Sequence, residues 1–399
     1  MPPAFWSLSA QASKVLFNLL GLVIFSRLIL PSDYGEFLVL SAILIVLVPF
    51  LDFALTPIYV SRTHVTDEIG NLFFTINATI AIICVIVLLS YFSLVYRGNI
   101  QTEWVVILAA GILFSGFSQQ KMAKLIRNSD FFSLFLLVFI SQFSSFFLAI
   151  VVIVYFDAPV TALCIKFGVE NTVFYLLSVL VFDIKNNWVS ILKTRNYLAD
   201  LHGATNILFG RCSEAAGLFF ERYLLGYNYS VADVGGYYRA VDLGRVADFF
   251  VREGLTGVAI NYYREGGGTP VKKVIFIALF FVGVAIFSFI FISMFGSGLI
   301  LWLLGDEWAF VAWMSAGIAL YAFFKIIQNT CFILFVCLSL TRRWLFANGV
   351  FYVFYCLVVY LSLGADISII LERITVFSSI YWSVVMLLCF VGVFSNEKN

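Results

Sequence analysis

Charge is what this sequence has least of. Only 12% of its 399 residues are Asp, Glu, Lys or Arg, where a soluble globular chain carries about a quarter. With a net charge of +1 there is no global basic field to hold nucleic acid or an acidic partner. Proline is scarce at 7 residues, which argues against linkers and low-complexity segments. Histidine occurs only twice, as His64 and His202, each in a polar connector with no second ligand at metal spacing, so no metal site is expected. The seven cysteines all sit inside apolar runs and none forms a Cys-x-x-Cys pair; they read as packed small hydrophobes, with neither zinc nor a disulfide framework. No Gly-x-x-x-x-Gly-Lys-Ser/Thr run is present, so the chain has no nucleotide-driven motor of its own. No cofactor and no catalytic residue is expected.

The chain is instead 62% hydrophobic and 18% aromatic, with 45 Phe. That composition fits an integral membrane protein with many spans. At about 20 apolar residues per helix, the expected spans are 4–30, 34–60, 70–95, 104–121, 131–156 and 160–182, then 204–226, 234–260, 272–304, 308–340, 344–363 and 367–394. The fold expected is an all-α polytopic protein of about twelve transmembrane helices in two six-helix lobes, 1–182 and 204–399, joined by a cytoplasmic connector at 183–203. No cleavable signal peptide is expected, because the first apolar segment is too long. Basic residues fall in alternate connectors, from Arg62 through Lys121, Lys124, Arg127, Arg264 and Lys272 to Arg342 and Arg343. The other connectors are mostly acidic, with Asp33, Glu103, Asp157, Asp233, Asp306 and Asp366. This asymmetry implies an even number of spans and cytoplasmic termini.

Two stretches repeat one another. Arg27-Leu-Ile-Leu-Pro31-Ser-Asp33-Tyr-Gly35-Glu-Phe37 has its counterpart in Arg222-Tyr-Leu-Leu-Gly226 followed by Asp233-Val-Gly235-Gly-Tyr237. In each, Asp reads as a helix N-cap and Gly as a tight-turn residue. Six spans separate the copies, as in transporters built from parallel halves.

A charge at mid-membrane costs at least about 2.5–3.5 kcal/mol on insertion scales and marks a cavity or a partner. The deep cations are Lys14, Arg211, Arg245 and Lys325, with Lys166 and Arg239 beside them. They are read as a cationic substrate path. Asp52, Glu170 and Glu214 are the acids that balance the charge or carry a coupling proton, and Gln11, Asn18, Gln142, Gln328 and Asn329 form its polar wall. Gln11, Lys14 and Asn18 recur at helical spacing on one face. Pro49 and Pro57 bracket Asp52 and are expected to break the second span. Arg239, Asp242, Arg245, Asp248 and Arg252 alternate in sign at spacings of three or four, which reads in part as a self-neutralising ladder. Fixed cations among amides and hydroxyls suit an anion with a hydrogen-bonding body, such as a phosphorylated sugar.

The stretch from Arg27 to Phe37, followed by Pro49-Phe-Leu-Asp52-Phe-Ala-Leu55, resembles the opening of the polysaccharide flippases. These are the O-antigen repeat-unit translocases of the multidrug/oligosaccharidyl-lipid/polysaccharide exporter superfamily. Glu221-Arg222 through Gly226, Gly235-Gly-Tyr237 with Ala240, and Leu303-Leu-Gly305-Asp-Glu-Trp308 resemble the family's later motifs, in the expected order. Glu221 stands where the family more often has Asp. The resemblance implies a fold like that of multidrug and toxic-compound extrusion proteins and a place in the bacterial inner membrane. It implies a substrate of undecaprenyl diphosphate carrying an oligosaccharide, moved from the cytoplasmic to the periplasmic leaflet by alternating access. The partners it implies are that lipid-linked oligosaccharide, membrane lipids, a glycan polymerase and a chain-length regulator, with no nucleic acid. Three other readings remain open at this point: a multidrug or cation antiporter of the same superfamily; a membrane glycan polymerase, which the very short external connectors disfavour; and a structural protein in which every deep charge is paired and no cavity exists.

Overall fold

The computed structural model describes residues 3–52, 56, 59, 67–94, 101–182, 188–189, 198–249, 259, 263, 270–338 and 340–396. Among these the regular structure is helical throughout. The helices are α1 (Pro3–Leu28), α2 (Pro31–Leu40), α3 (Ala42–Asp52), α4 (Asp67–Leu94), α5 (Thr102–Arg127), α6 (Phe131–Phe156) and α7 (Pro159–Leu180). They continue as α8 (Leu198–Asn228), α9 (Val231–Phe249), α10 (Pro270–Leu304), the short α11 (Ala309–Ala312), α12 (Ser315–Cys337), α13 (Thr341–Ser362) and α14 (Ile367–Asn396). Polar residues mark the boundaries. Asp130 caps α6 by accepting from the Ser133 amide at 3.2 Å, and α7 opens on Pro159, whose missing N–H costs nothing at a helix start.

Among the described residues nine helices are long and apolar enough to cross a membrane, and α2 with α3 passes as a tenth, bent by 48°. The expected seventh span, 204–226, falls within α8, and the expected eighth falls within α9 as far as Phe249, its remainder lying almost wholly outside the described residues; neither helix is among those nine. The chain is a multi-pass membrane protein. The break in the second expected span falls at Ser41, and Pro49 lies inside α3 with helix continuing to Asp52. The Leu44 amide reaches the Ser41 carbonyl at 2.9 Å, a tight three-residue turn that starts α3 afresh eight residues before the proline. Pro57 lies outside the described residues.

The chain packs as two compact units, neither contiguous in sequence: residues 1–21 with 40–219, and residues 22–39 with 220–399. These differ from the contiguous halves 1–182 and 204–399. In the first unit α7 packs along both α5 and α6, and α4 packs along α3 and α5. The start of α1 lies on α6 through aromatic contacts of Trp6 with Phe132 and Phe135. In the second unit α12 is the central element, with 78% of its most apolar window buried and α9, α10 and α14 packed around it.

The repeated motifs meet inside the second unit. A Cβ on Gly35 would strike the Val231 carbonyl, and a Cβ on Gly235 would strike the Pro31 carbonyl. Pro31 and Val231 open α2 and α9, so the two copies clasp each other reciprocally, each glycine admitting the first turn of the other helix. Gly35 and Gly235 therefore serve close approach within helices, not tight turns. The acids are also placed differently from expectation. Asp33 and Asp233 are each the third residue of their helix, inside the first turn and not at the boundary. In the second copy Ser230 is the capping residue: the Asp233 amide donates to its Oγ at 3.2 Å, and that hydroxyl donates to the Asp233 carboxylate at 2.6 Å.

Candidate functional site

The first unit holds a polar cavity of about 210 Å³ between α1, α5, α6 and α7. Its wall includes Lys14, Ser115, Ser118, Gln119, Ser141, Gln142, Glu170 and Asn171, with Met122, Val138 and Phe174 as apolar patches. Helical spacing sets the lining: Ser115, Ser118 and Gln119 recur along one face of α5, Val138, Ser141 and Gln142 along α6, and Glu170, Asn171 and Phe174 along α7. Gln142 Nε2 donates to Glu170 Oε1 at 3.3 Å, tying α6 to α7. The Gln142 Oε1 is buried with no hydrogen-bond partner. The Ser118 and Ser141 hydroxyls donate to carbonyls of their own helices, Phe114 at 2.6 Å and Val138 at 3.0 Å, so what they offer the cavity is acceptor lone pairs. One ammonium, several amides and a row of acceptors suit a ligand rich in hydroxyls that carries negative charge. The volume lies below the ~300–1,000 Å³ of pockets for drug-sized molecules, so one sugar-sized piece fits.

Of the residues singled out by sequence, this cavity brings together Lys14, Gln142 and Glu170. Gln11, about one turn before Lys14, is half-buried with an unpartnered Oε1. Asn18 is exposed on α1 and Arg211 on α8, while Lys166 and Glu214 are half-buried. Asp52 ends α3, and its side chain is not among those described. Spacing on the fourth span already held the signal for Ser115, Ser118 and Gln119, which were not singled out. Two more buried amides were also missed: Asn77 on α4 and Gln120 on α5, 0% and 1% exposed, have no partner on either amide atom.

The second unit engages its deep charges differently. Lys325 donates to Gln328 Oε1 at 3.0 Å, and Gln328 Nε2 donates to Asn348 at 3.4 Å. Asn329 donates to Asp248. Arg245 lies 3.6 Å from Asp242 and donates to the Tyr321 hydroxyl at 3.2 Å, while the Tyr34 hydroxyl donates to Asp242 at 2.5 Å. Arg239, 4% exposed, lies with its guanidinium 3.9 Å from the centre of the Tyr34 ring and 5.1 Å from that of Trp308. Within the charge ladder, Asp242 pairs with Arg245 and Asp248 turns to Asn329; Arg252 is outside the described residues.

The motifs that carried the resemblance converge in this unit. Arg27 donates to the Trp302 and Leu303 carbonyls at the end of α10. Gly305 follows at φ 91°, a backbone that favours glycine, and turns the chain so that fully buried Trp308 donates through Nε1 to the Ser26 carbonyl at 2.6 Å. Glu221, 1% exposed, accepts from Tyr237 at 2.5 Å and from Tyr355 at 2.7 Å.

Comparison with solved structures places the fold. The chain is similar to an inward-facing multidrug resistance MATE family transporter of the MOP superfamily, at 15% identity and a TM-score of 0.69, over 99% of both chains. It is similar to the lipid II flippase MurJ in an inward closed conformation, at 13% identity and a TM-score of 0.68, over 98% of this chain and 87% of that one. A MATE structure in a bent conformation gives 14% identity and a TM-score of 0.63, over 98% and 94%. No curated protein matches the chain. The family model described as polysaccharide biosynthesis protein matches residues 24–313, more than half of the chain. The chain therefore belongs to that family of polysaccharide biosynthesis proteins and has the MATE-like fold shared by multidrug transporters and MurJ.

Proposed function

We propose that this protein is a flippase that moves undecaprenyl-diphosphate-linked oligosaccharide repeat units from the cytoplasmic to the periplasmic leaflet of a bacterial inner membrane. The observation that carries the reading is the cavity of the first unit, where Lys14 is set among amides and hydroxyls inside a bundle of apolar helices. In a polysaccharide biosynthesis family, a membrane cavity of that chemistry fits a sugar next to a phosphoryl group. Lys14 attracts the phosphoryl charge, Gln119, Gln142 and Asn171 hydrogen-bond the sugar, and Glu170 balances the cation. The substrate passes by alternating access between the halves 1–182 and 204–399. Twelve crossings with both termini in the cytoplasm agree with the connector charges. A glycan polymerase and a chain-length regulator act on the units once they are outside.

The test deletes the gene and locates lipid-linked repeat units by leaflet. Build-up on the cytoplasmic side, restored to normal by the wild-type gene and not by Lys14→Ala at equal protein level, is the expected result. Single repeats accumulating outside would indicate a polymerase. Normal glycan with altered drug susceptibility would indicate a multidrug antiporter. Either outcome overturns the proposal.

A further inference from the structure

The outer side of α6 carries a ladder of phenylalanines at helical spacing: Phe135, Phe139, Phe143 and Phe147. Successive ring centres lie 5.8, 6.2 and 6.3 Å apart, and the last two pairs are almost parallel, at 9° and 10°. Phe139, Phe143 and Phe147 are 37%, 52% and 58% exposed. Phe17 of α1 seats its ring on Phe139 at 5.6 Å and on Phe143 at 6.5 Å, so the ladder runs along the seam between α1 and α6.

The same two helices line the polar cavity. Gln142 faces the cavity and its neighbour Phe143 belongs to the ladder; Lys14 lines the cavity, and Phe17 lies three residues further along α1, about 4.5 Å of helix rise. We infer that this seam is the track for the polyisoprenoid tail of the substrate, with the head group at Lys14 and the chain leaving across Phe17 and the ladder. The inference rests on the flippase reading and adds where the lipid end lies. A chain attached to a phosphoryl group at Lys14 has to pass from a polar cavity into hydrocarbon, and the ladder is the apolar surface continuous with that cavity on the same helices. Its regular stack of rings presents a periodic surface to a branched chain with a periodic repeat.

The test places the photoreactive residue p-benzoylphenylalanine at Phe143 in the full chain, reconstituted in vesicles of phosphatidylethanolamine and phosphatidylglycerol containing radiolabelled undecaprenyl phosphate. Phe287 serves as the control, because it is 69% exposed on a similar ladder in α10. Labelling at Phe143 several-fold above Phe287, competed by unlabelled undecaprenyl phosphate and not by excess phospholipid, is expected. Equal labelling at both positions would mean ordinary surrounding lipid, and a protein–protein adduct at Phe143 would mean a second copy of the chain; both overturn the inference. In cells, Phe139→Ala with Phe143→Ala is expected to lower translocation about tenfold, and Phe139→Leu with Phe143→Leu, which keeps apolar bulk, to lower it less. Full translocation in the Ala pair also overturns the inference. Failure of the tail track leaves the Lys14 dependence of translocation intact. Failure of the flippase reading shows in the leaflet assay whether or not Phe143 labels.

Discussion

The cavity of the first unit and the cluster of contacts made by Glu221, Trp308 and Arg27 in the second use the same kinds of side chain in opposite ways. Arg222 Nε and the Tyr238 hydroxyl beside Glu221 are the exception, buried without a hydrogen-bond partner, the guanidinium lying over the Tyr238 ring. In the cluster, Glu221 has a tyrosine hydroxyl on each oxygen, Trp308 has a carbonyl for its indole, and Arg27 closes the end of α10. In the cavity, Gln142 leaves its carbonyl oxygen without a hydrogen-bond partner, and Lys14 lines open space. Polar groups whose partners lie within the fold hold it together; polar groups facing a void are available to a ligand. The difference teaches that the motifs that carried the resemblance make contacts within the fold, whereas the cavity residues proposed to bind substrate lie in segments with no sharp motif.

That contrast is open to breaking, beginning with the largest expected effect on stability. Gly235→Val drives a branched side chain into the Pro31 carbonyl. It is expected to cost about 3 kcal/mol or more, seen as loss of folded protein in detergent, and Gly35→Val should behave alike if the clasp is reciprocal. Glu221→Leu leaves the Tyr237 and Tyr355 hydroxyls buried without an acceptor. Roughly 2–4 kcal/mol is expected, read as a lowered thermal midpoint, and the further changes Tyr237→Phe and Tyr355→Phe should restore much of it. Trp308→Phe removes the donor to Ser26 and leaves part of the indole's volume empty at a fully buried site, for about 2–3 kcal/mol. Lys14→Ala is the smallest in stability, within about 0.5 kcal/mol, yet it should lower translocation at least about tenfold, the value of a charge-assisted hydrogen bond. A cavity variant that melts the protein, or a cluster variant that spares stability while abolishing transport, would erase the distinction between the two regions.

Long apolar runs made the helices legible, because twenty residues without charge have few other fates. The helical positions of α8 and α9 were legible too, despite their charge. The interior was read less well. The deep cations looked equivalent in sequence because depth along a helix says nothing of what faces it. The structure engages Arg245 with Asp242 and Tyr321, sets Arg239 against two aromatic rings and gives Lys325 to Gln328, but places Lys14 on a void. The partners come from helices far away in the chain, and a one-dimensional pattern carries no record of them. The two glycines show the same limit: Gly35 and Gly235 were visible as a repeat, but the contact between the copies emerges only when both are folded.

The make-up of the second unit has a consequence for synthesis. Residues 22–39 leave the ribosome long before residues 220–399, with which they pack. Contacts so distant in sequence have to wait for their partner while the intervening chain is made, and loop closure of that length is slow. The first unit has its segments complete once residue 219 has emerged, whereas the α2 segment remains without its partners until α8 and α9 follow. Birth order thus separates the halves: the cavity can be assembled early, and the clasp that joins the repeats closes late.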